Sequence, residues 1–372
     1  MKRLEFALVE KLRDGFWKAG APLPSENALA KEYGVSRSAA HKVLNQIEAK
    51  HLVYQVRGVG TFAGSPGIPA ANKGTFLFLS CDHTTSHLMR LGFEERISST
   101  GASSMMLPYS KALELFKEGQ LTDIAGVFDG ISSAKDKNAL LLKASLPAKT
   151  CLVRIWNDDF ASESDTDYVS FDNVDGGRQA AMHLLEHGHT RIAFMGLHLE
   201  KKNPAIYTWS KDRCRGWTNA LEAAGITPSS GCVFFPPANL LAKERHKNIG
   251  YLMAENIISP ETPFSAIVCA NDKVAAGLIR KLKDSEWPNG RWPAIVGFDD
   301  SDLSASMGLS SLHLSWKELG AAGAELLLDR ASGRLKGAGV KRFVKMKLIR
   351  RLAAANVSYD TVKCTSTGGR HE

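Results

Sequence analysis

Near the start of the chain, two stretches place apolar side chains three or four positions apart, the spacing of one face of an α-helix. The residues of the first stretch are Leu4, Leu8, Leu12 and Phe16. The residues of the second stretch are Ala40, Val43, Leu44 and Ile47. Each stretch therefore predicts an amphipathic helix with one buried face.

A short helix is predicted between these two. Ser25 is a favourable N-cap, and Glu26 lies where it meets the positive end of the helix dipole. Leu29 and Tyr33 share one face, and Gly34 supplies the left-handed residue that ends many helices. The stretch therefore predicts a helix that stops at a sharp turn.

The second amphipathic helix begins with polar and basic residues. Ser36 is placed as its N-cap. Arg37, Ser38 and His41 follow on the face opposite the apolar stripe. A short helix, a glycine turn and a helix with such an N-terminal end are typical of a helix-turn-helix.

A hairpin is predicted directly after this motif. Leu52–Val56 and Gly60–Ala63 have strand character, and they flank the basic, glycine-containing tip Arg57-Gly58-Val59. Such a hairpin is a wing. The alternative, a small helical domain that binds protein, would leave the wing unexplained.

The pattern changes after residues 65–74, which are rich in Pro, Gly and Ala and predict a linker. Apolar runs of strand length now alternate with helical stretches. The predicted strands are Thr75–Ser80, Ser103–Leu107, Ile124–Phe128, Cys151–Ile155, Tyr168–Phe171, Arg191–Met195, Cys232–Phe235, Ala266–Cys269 and Ala294–Gly297. Helices predicted between them include Gly176–His187, Asp212–Ala224, Asn239–Ile258 and Asp272–Lys283.

This alternation predicts an α/β fold with parallel sheets covered on both faces. The segment is too long for one small sheet, so we expect two doubly wound lobes with a cleft between them. Ligands of such sheets bind at the carboxyl ends of the strands.

Charge is unevenly distributed along the 372 residues. Residues 1–74 carry 11 basic and 6 acidic side chains, residues 341–372 carry 8 and 2, and the middle is slightly acidic within a total of +8. A basic head suggests contact with a polyanion. We interpret the basic residues of the C-terminus as a solvated strand face followed by a loose tail.

The cysteines and the hydropathy of the sequence indicate the cellular compartment of the protein. The six cysteines lack C-x-x-C spacing and are interpreted as reduced thiols, five of them in apolar or helical contexts. A signal peptide is not recognised, and apolar runs stay too short for a membrane span. The chain is therefore predicted to be cytoplasmic.

The pieces of the head occur in a fixed order that one family shares. They are Leu23-Pro24-Ser25-Glu26, Leu29-Ala30, Gly34-Val35-Ser36-Arg37 and Gly58-Val59-Gly60-Thr61-Phe62. The segment resembles the GntR-type winged helix, which implies operator DNA as partner. The implied DNA-binding residues are Ser25, Glu26, Asn27, Ser36, Arg37, Ser38, His41, Lys42, Arg57, Gly58, Gly60 and Thr61. The family often has Arg at the position of Asn27 and usually at that of His41.

The body carries a second set of motifs. They are Val169–Arg178, His183–Phe194, Arg213-Cys214-Arg215-Gly216, Asn271-Asp272 and Val296–Asp300. Together they resemble the LacI/GalR-type, periplasmic-binding-protein-like effector domain over residues 75–355, most densely over 168–335. A GntR-type head on such a body is similar to the arrangement in arabinose-repressor-like regulators. The expected division is 1–64 for the head, 65–74 for the linker, 75–357 for the body and 358–372 for a disordered tail.

The second resemblance implies an effector site at strand ends. Arg213 is expected to bind ligand hydroxyls or carboxylate with its fork of donors, the alternative being a surface arginine. Asn271 and Asp299 end strands, with structural capping as the alternative, whereas Asp272 is expected to cap the following helix. Trp316 is either a stacking platform or a residue that packs at a lobe crossover. Weaker candidates are Asp82, His83, Asn157 and Asp158.

Other chemistries find less support in the sequence. His183 and His187 have the helical spacing of metal ligands, but Gly188 follows, and His187-Gly188-His189 is better interpreted as a helix end with cationic caps. We recognise neither a nucleophile–base pair nor a cofactor motif, so neither an enzyme nor a cofactor is predicted.

The sequence therefore predicts a ligand-responsive, DNA-binding transcription regulator. It is expected to act as a homodimeric repressor whose operator affinity changes when a small sugar-like effector binds. A non-sugar metabolite as effector, or action as an activator, is the alternative. A solute receptor for transport would need an export signal and no DNA-binding head. An enzyme acting in the cleft would need an acid/base or nucleophile set.

Overall fold

A computed structural model describes residues 2–14, 16–17, 21–49, 52–56, 60–63, 74–80, 84–130, 137–155, 166–197, 208–237, 240–241, 244–257, 264–285 and 292–351. The described part of the first 64 residues forms a small helical domain with a hairpin. Its elements are α1 (Lys2–Arg13), α2 (Glu26–Tyr33), α3 (Arg37–Ala49), β1 (Val53–Val56) and β2 (Gly60–Ala63).

The two helix caps predicted around the turn of the head are present. Ser25 Oγ accepts a hydrogen bond from the Ala28 amide at 3.2 Å, and Ser36 Oγ accepts one from the Ala39 amide at 3.2 Å. Gly34 ends α2 in the left-handed conformation, with φ 65°. A side chain would be strained there, so glycine sets the sharp turn between α2 and α3.

The apolar stripes of the head meet in one core. Its fully buried members include Leu4, Leu8, Val43 and Ile47, and Ala63 of β2 joins them. The prediction that Phe16 continues the first stripe is wrong, because α1 ends at Arg13 and the Phe16 ring is 69% exposed.

The wing prediction is confirmed for its two strands. β1 pairs antiparallel with β2, from Val53 opposite Ala63 to Val56 opposite Gly60. The segment before α2 extends this hairpin, since Leu23 N donates to the Thr61 carbonyl at 2.8 Å. The tip residues 57–59 lie outside the described residues.

The rest of the chain alternates strands and helices. The first elements are β3 (Thr75–Ser80), α4 (Thr84–Ser98), β4 (Ser103–Pro108), α5 (Tyr109–Lys117), β5 (Ile124–Asp129), α6 (Lys137–Ser145), β6 (Cys151–Ile155), β7 (Asp167–Phe171), α7 (Asn173–Glu186), β8 (Ile192–Met195) and α8 (Thr208–Ala223). The later elements are β9 (Val233–Phe234), α9 (His246–Met253), β10 (Ala266–Cys269), α10 (Asp272–Asp284), β11 (Ala294–Asp299), α11 (Asp302–Ser306), β12 (Ser310–His313), α12 (Trp316–Ala331), β13 (Lys341–Val344) and β14 (Lys347–Ile349).

These strands form two six-stranded sheets, in the orders β13-β7-β6-β5-β3-β4 and β14-β12-β11-β10-β8-β9. In the second sheet β9, β8, β10, β11 and β12 run parallel, and β14 is antiparallel to β12. The predicted α/β class with parallel, doubly wound sheets is confirmed. Strands β12, β13 and β14 were not predicted, because polar residues such as Ser310, Ser311 and Lys347 obscure their strand character.

By its contacts, the chain divides into two compact units. The first comprises residues 1–130, 145–153 and 323–337, and the second comprises residues 131–144, 154–322 and 338–372. The first unit buries an aromatic cluster in which Phe78, Phe93 and Phe128 lie with ring centroids 5.5 to 5.8 Å apart.

In the second unit, α7 and α8 approach each other closely. A Cβ on Gly177 would lie 1.9 Å from the Arg213 carbonyl oxygen, and a Cβ on Gly216 would lie 1.9 Å from the Val174 carbonyl oxygen. Only glycine at these two positions permits this approach.

Three predicted helices have different bounds in the structure. α7 begins at Asn173 behind the N-cap Asp172, and α8 begins at Thr208, so Arg213 lies in its second turn and does not open it. The helix predicted over Asn239–Ile258 is wrong as one piece, because the backbone of Arg245 is extended immediately before α9. Within the described residues, no helix is long and apolar enough to cross a membrane.

Candidate functional sites

The first candidate site is the polar surface at the start of α3. Arg37, Ser38, His41 and Lys42 are all exposed there, as are Ser25, Asn27 and Ser36 around the turn. An exposed, basic N-terminal end of a helix is the part that a helix-turn-helix inserts into the major groove. The predicted contact residues of the helices are therefore brought together on one surface.

Glu26 organises this surface. Arg37 Nε donates to Glu26 Oε2 at 3.0 Å, and His41 Nδ1 lies 2.7 Å from Glu26 Oε1. Hydrogen bonds from Arg37 and then His41 lower the pKa of the Glu26 carboxyl, although burial opposes them. His41 Nε2 also lies 3.2 Å from Asn45 Nδ2, so both ring nitrogens have partners. Glu26 thus orients two of the predicted contact residues.

The wing supplies less of the predicted surface. Thr61 is 9% exposed, and its carbonyl accepts the bond from Leu23, so its main contribution is to the hairpin. Gly60 begins β2 opposite Val56. Arg57 and Gly58 lie outside the described residues.

The second candidate site surrounds Arg213 in the second unit. Its guanidinium carbon lies 4.5 Å from the ring centroid of Trp209 and 4.2 Å from that of Phe298. Nε donates to Asn173 Oδ1 at 2.9 Å, and Nη1 donates to the Ala270 carbonyl at 2.6 Å. The side chain is 3% exposed, so the alternative of a surface arginine is wrong.

Arg213 keeps its charge in spite of this burial. Burial lowers the pKa of its guanidinium to about 10, while the negative charges of Asp299 and Asp272 act in the opposite direction. Two of its five N–H groups are bonded, and the other three have no partner among the described residues. Arg213 therefore offers a fixed, charged set of donors at the strand ends.

Asp299 is the second polar group of this site. It ends β11, and its φ of 107° is followed by a φ of 50° at Asp300, both in the region that residues other than glycine rarely adopt. Such strain persists where surrounding structure imposes it, and it clusters at functional sites. Burial raises the pKa of the Asp299 carboxyl to about 7, opposed by the charge of Arg213. Its carboxyl has no hydrogen-bond partner within the described ranges.

Asn271 has the structural capping role that was the alternative interpretation of its position. Its Oδ1 accepts from the Val274 amide at 2.9 Å and caps α10, and its Nδ2 lies 2.9 Å from His246 Nδ1. The expectation that Asp272 caps this helix is therefore wrong. Asp272 is fully buried, and it accepts from Ser301 N, Ser301 Oγ and Ser311 Oγ at 2.7 to 2.9 Å.

The remaining predicted effector residues are not brought to Arg213 by any described contact. Trp316 begins α12 and packs edge-on against Phe171, with ring centroids 5.0 Å apart, which is the packing role given as its alternative. The four weaker candidates Asp82, His83, Asn157 and Asp158 lie outside the described residues.

Three members of the site were not predicted from the sequence. Asn173, Trp209 and Phe298 hold the Arg213 side chain but were not named as site residues. Asn173 follows β7 just as Asn271 follows β10, so its position after a strand was a usable signal. Trp209 precedes Arg213 by one helical turn, a spacing that equally fits core packing.

The Arg213 site is suited to binding a polar molecule. A guanidinium, a carboxyl group and two aromatic rings supply donors, an acceptor and flat apolar faces. Among the described residues, no group of three His, Cys, Asp or Glu side chains is arranged to hold a metal ion.

Comparison with known families finds a match for each of two stretches of the chain. Residues 1–63 match the bacterial regulatory proteins of the gntR family. Residues 181–352 match the periplasmic binding protein-like domain. Both resemblances inferred from the sequence motifs are therefore confirmed.

Curated relatives include HTH-type transcriptional repressors PurR. The chain is 28% identical to the protein of Aliivibrio salmonicida (strain LFI1238) over 197 residues, which are 52% of this chain and 55% of the relative. It is 27% identical to that of Haemophilus influenzae (strain PittEE) over 192 residues, 51% of this chain and 53% of the relative. The chain thus spans about half the length of the curated relatives it matches.

Solved structures of similar fold are transcription regulators. The complex of the transcriptional regulator CelR with cellobiose has a TM-score of 0.58 at 20% identity and covers 88% of this chain and 99% of its own. A LacI family regulator from Enterococcus faecium with bound ribose has a TM-score of 0.55 at 23% identity and covers 76% and 99%. These likenesses support the fold of the chain.

The close approach of α7 and α8 gives a first prediction. Gly216→Ala would place a methyl group against the Val174 carbonyl and separate the helices that position Arg213. We expect the free energy of unfolding to fall by about 1–3 kcal/mol, measured by denaturant titration of tryptophan fluorescence.

Gly231→Ala is the matched control, because its nearest contact would be Ser229 Oγ at 3.8 Å. If both variants unfold at the same denaturant concentration as the parent, the close contact between α7 and α8 at Gly216 does not constrain the position of Arg213.

Proposed function

We propose that this chain, which joins a gntR-family DNA-binding domain to a periplasmic binding protein-like domain, is a ligand-responsive transcription regulator. A small sugar-like effector binds at Arg213 and Asp299 and changes the affinity of the head for operator DNA. The proposed division is residues 1–64 for the head, 65–74 for the linker, 75–357 for the effector domain and 358–372 for the tail. The observation that carries the proposal is the buried Arg213 guanidinium, held between two rings with three N–H groups unused.

The chemistry of a polyol matches these groups. Its hydroxyl oxygens accept from a guanidinium, and its hydroxyl hydrogens are donated to a carboxylate. Within the described residues, three N–H groups of Arg213 and the carboxyl group of Asp299 have no hydrogen-bond partner. Leaving polar groups unpaired in a site closed to water costs free energy. A bound sugar satisfies both, and analogues that lack hydroxyl groups would leave them unpaired.

A sugar is favoured over a non-sugar metabolite as the effector, and action as a repressor is favoured over action as an activator. Two regulators of similar fold are described with cellobiose and with ribose, and the curated relatives are named repressors. An enzyme is not favoured, because bond cleavage needs a nucleophile or an acid/base pair, and Arg213 with Asp299 serves binding and charge balance instead.

The proposed action on DNA requires two heads. A single winged helix makes few base contacts, and two-fold symmetric dimers of such domains bind two half-sites of a pseudo-palindromic operator. We therefore propose a homodimer as the active form.

Loss of the effector site is expected to separate ligand response from DNA binding. Arg213→Ala and Asp299→Ala each remove one of the two proposed ligand-binding groups, so operator release by the effector should be abolished while operator affinity stays at the parental level. A thermal-shift screen of mono- and disaccharides first identifies the effector, because a ligand of the folded state raises the melting temperature. Gel-shift titrations with and without it then measure the response. Parental response in both variants would overturn the assignment.

The titration of Asp299 refines this test. Because the carboxyl has a pKa of about 7, its ionised fraction rises about tenfold from about pH 6 to about pH 8. Only the carboxylate accepts hydroxyl donors with both oxygens, so effector affinity should rise over this range. Asp299→Asn should bind more weakly and show a flat profile.

The head gives an independent prediction. Arg37→Ala removes the base or phosphate contact at the start of α3 and is expected to weaken operator binding by about 1–3 kcal/mol, with effector binding unchanged. Arg280→Ala is the control, since Arg280 is an exposed arginine of α10. Equal operator affinity of both variants in a gel-shift titration would contradict the proposed docking.

Assembly is tested by sedimentation of the full chain. We expect a dimer at micromolar concentration, alone or with operator DNA. A monomer under both conditions would rule out the two-headed arrangement.

A further inference from the structure

A groove of about 410 Å³ lies between α7 and β14 in the second unit. Its walls include Arg178, Met182 and His183 of α7, and Lys347, Leu348 and Arg350 at β14. The volume is that of a pocket for a small molecule, which typically spans about 300–1,000 Å³. None of these residues touches the Arg213 guanidinium, whose partners are Asn173, Ala270, Trp209 and Phe298.

His183 lies at the base of this groove, 2% exposed. Neither of its ring nitrogens has a hydrogen-bond partner within the described part of the chain. Its ring meets that of His187 edge-on at 4.6 Å, and His187 Nδ1 bonds the His183 carbonyl at 2.7 Å, so His187 fixes the backbone and leaves the His183 nitrogens unused. Buried polar side chains are nearly always paired, so this one points to a ligand.

The His183 ring is neutral at neutral pH. Burial lowers its pKa to about 4, and the electrostatic interactions with His187 and Arg350 act in the same direction, against Glu186. A neutral imidazole has one N–H donor and one acceptor nitrogen. The groove therefore has an uncharged donor at its base.

The rim of the groove is basic. Lys347 has no ion-pair partner among the described residues. Arg178 bonds Asp175 Oδ1 through Nε and Nη2, which leaves Nη1 unused, and Arg350 Nη2 bonds Glu186 at 3.0 Å. Two of the three cations are thus paired with a carboxylate, and Lys347 adds a positive charge for which an anion is the complementary ligand.

The remaining wall is apolar. Met182 is 36% exposed, Met346 is buried and Leu348 is half-buried. An inorganic ion would leave Met182 and Leu348 in contact with water, whereas an anion with a hydrocarbon body covers them. Methionine adapts its shape to such a body more readily than branched side chains do.

We propose that this groove is a second ligand site, which binds a small organic carboxylate. The carboxylate accepts from Lys347 and from the His183 ring, whose nitrogens are screened from solvent in the free protein and become accessible when the side chain turns toward the groove. The hydrocarbon body lies on Met182, Met346 and Leu348. The site is separate from the one at Arg213, and it stands whether or not the effector is a sugar.

The test uses the full chain labelled with ¹³C at the methionine methyl groups. Benzoate is the probe and benzamide, its neutral analogue, is the matched control. We expect benzoate to shift the methyl signals of Met182 and Met346 saturably, and benzamide to bind at least tenfold more weakly. Met182→Leu assigns the first signal by its loss. Arg213→Ala should bind benzoate as the parent does.

Two variants complete the test. Lys347→Glu reverses an exposed charge at the rim and should abolish the benzoate shift, whereas Lys283→Glu reverses an exposed charge on α10 and should leave it unchanged. His183→Leu should weaken binding while keeping the groove apolar at its base. Shifts that are equal for benzamide, that survive Lys347→Glu or that are lost in Lys283→Glu or Arg213→Ala would overturn the proposal. So would an absence of saturable shifts, or inorganic phosphate binding as tightly as benzoate.

Discussion

The buried guanidinium of Arg213 is the constraint on which the second unit's ligand site depends. A charge removed from water is costly unless nearby groups compensate it. Asn173 and the Ala270 carbonyl accept two of its hydrogen bonds, Trp209 and Phe298 cover its faces, and Asp299 and Asp272 supply opposite charge. These groups come from α7, α8, α10, β11 and the residue after β10. The position of one side chain therefore depends on how several elements of the second unit pack together. Gly177 and Gly216 then allow the short distance between α7, which carries Asn173, and α8, which carries Arg213.

Glu26 has a comparable role in the head, on an exposed surface where each contact is weak. It accepts from Arg37 across the turn and from His41 one helical turn later. Arg37 is 71% exposed at its side chain, so this ion pair contributes little to stability. Its effect is on geometry, because it holds two flexible side chains at the end of α3 in one orientation. In the proposed docking, a phosphate group of the DNA would compete with the Glu26 carboxylate for the same donors.

The parts of the structure that follow from local sequence were predictable. Ser25, Gly34 and Ser36 specify caps and a turn through their own backbone and neighbours, and apolar runs such as Ala266–Cys269 specify buried parallel strands. Partners from distant segments were not predictable in this way. Asn271 takes the capping role expected of Asp272, because Ser301 and Ser311, about thirty to forty residues later, hold the Asp272 carboxyl. Likewise, nothing near Arg213 in the sequence specifies that Asn173 and Phe298 hold it.

The two carboxyl groups whose charges act on Arg213, those of Asp272 and Asp299, differ in what remains for a ligand. Asp272 accepts three hydrogen bonds from Ser301 and Ser311, and they oppose the rise in its pKa that burial causes. Asp299 lacks such bonds within the described chain, and its pKa rises to about 7. Its backbone is held in a strained conformation at the end of β11. Asp272 therefore serves the internal structure of the sheet edge, whereas Asp299 retains an unsatisfied acceptor beside a charged donor. A ligand that supplies hydroxyl groups to both completes the hydrogen bonding that the protein leaves open.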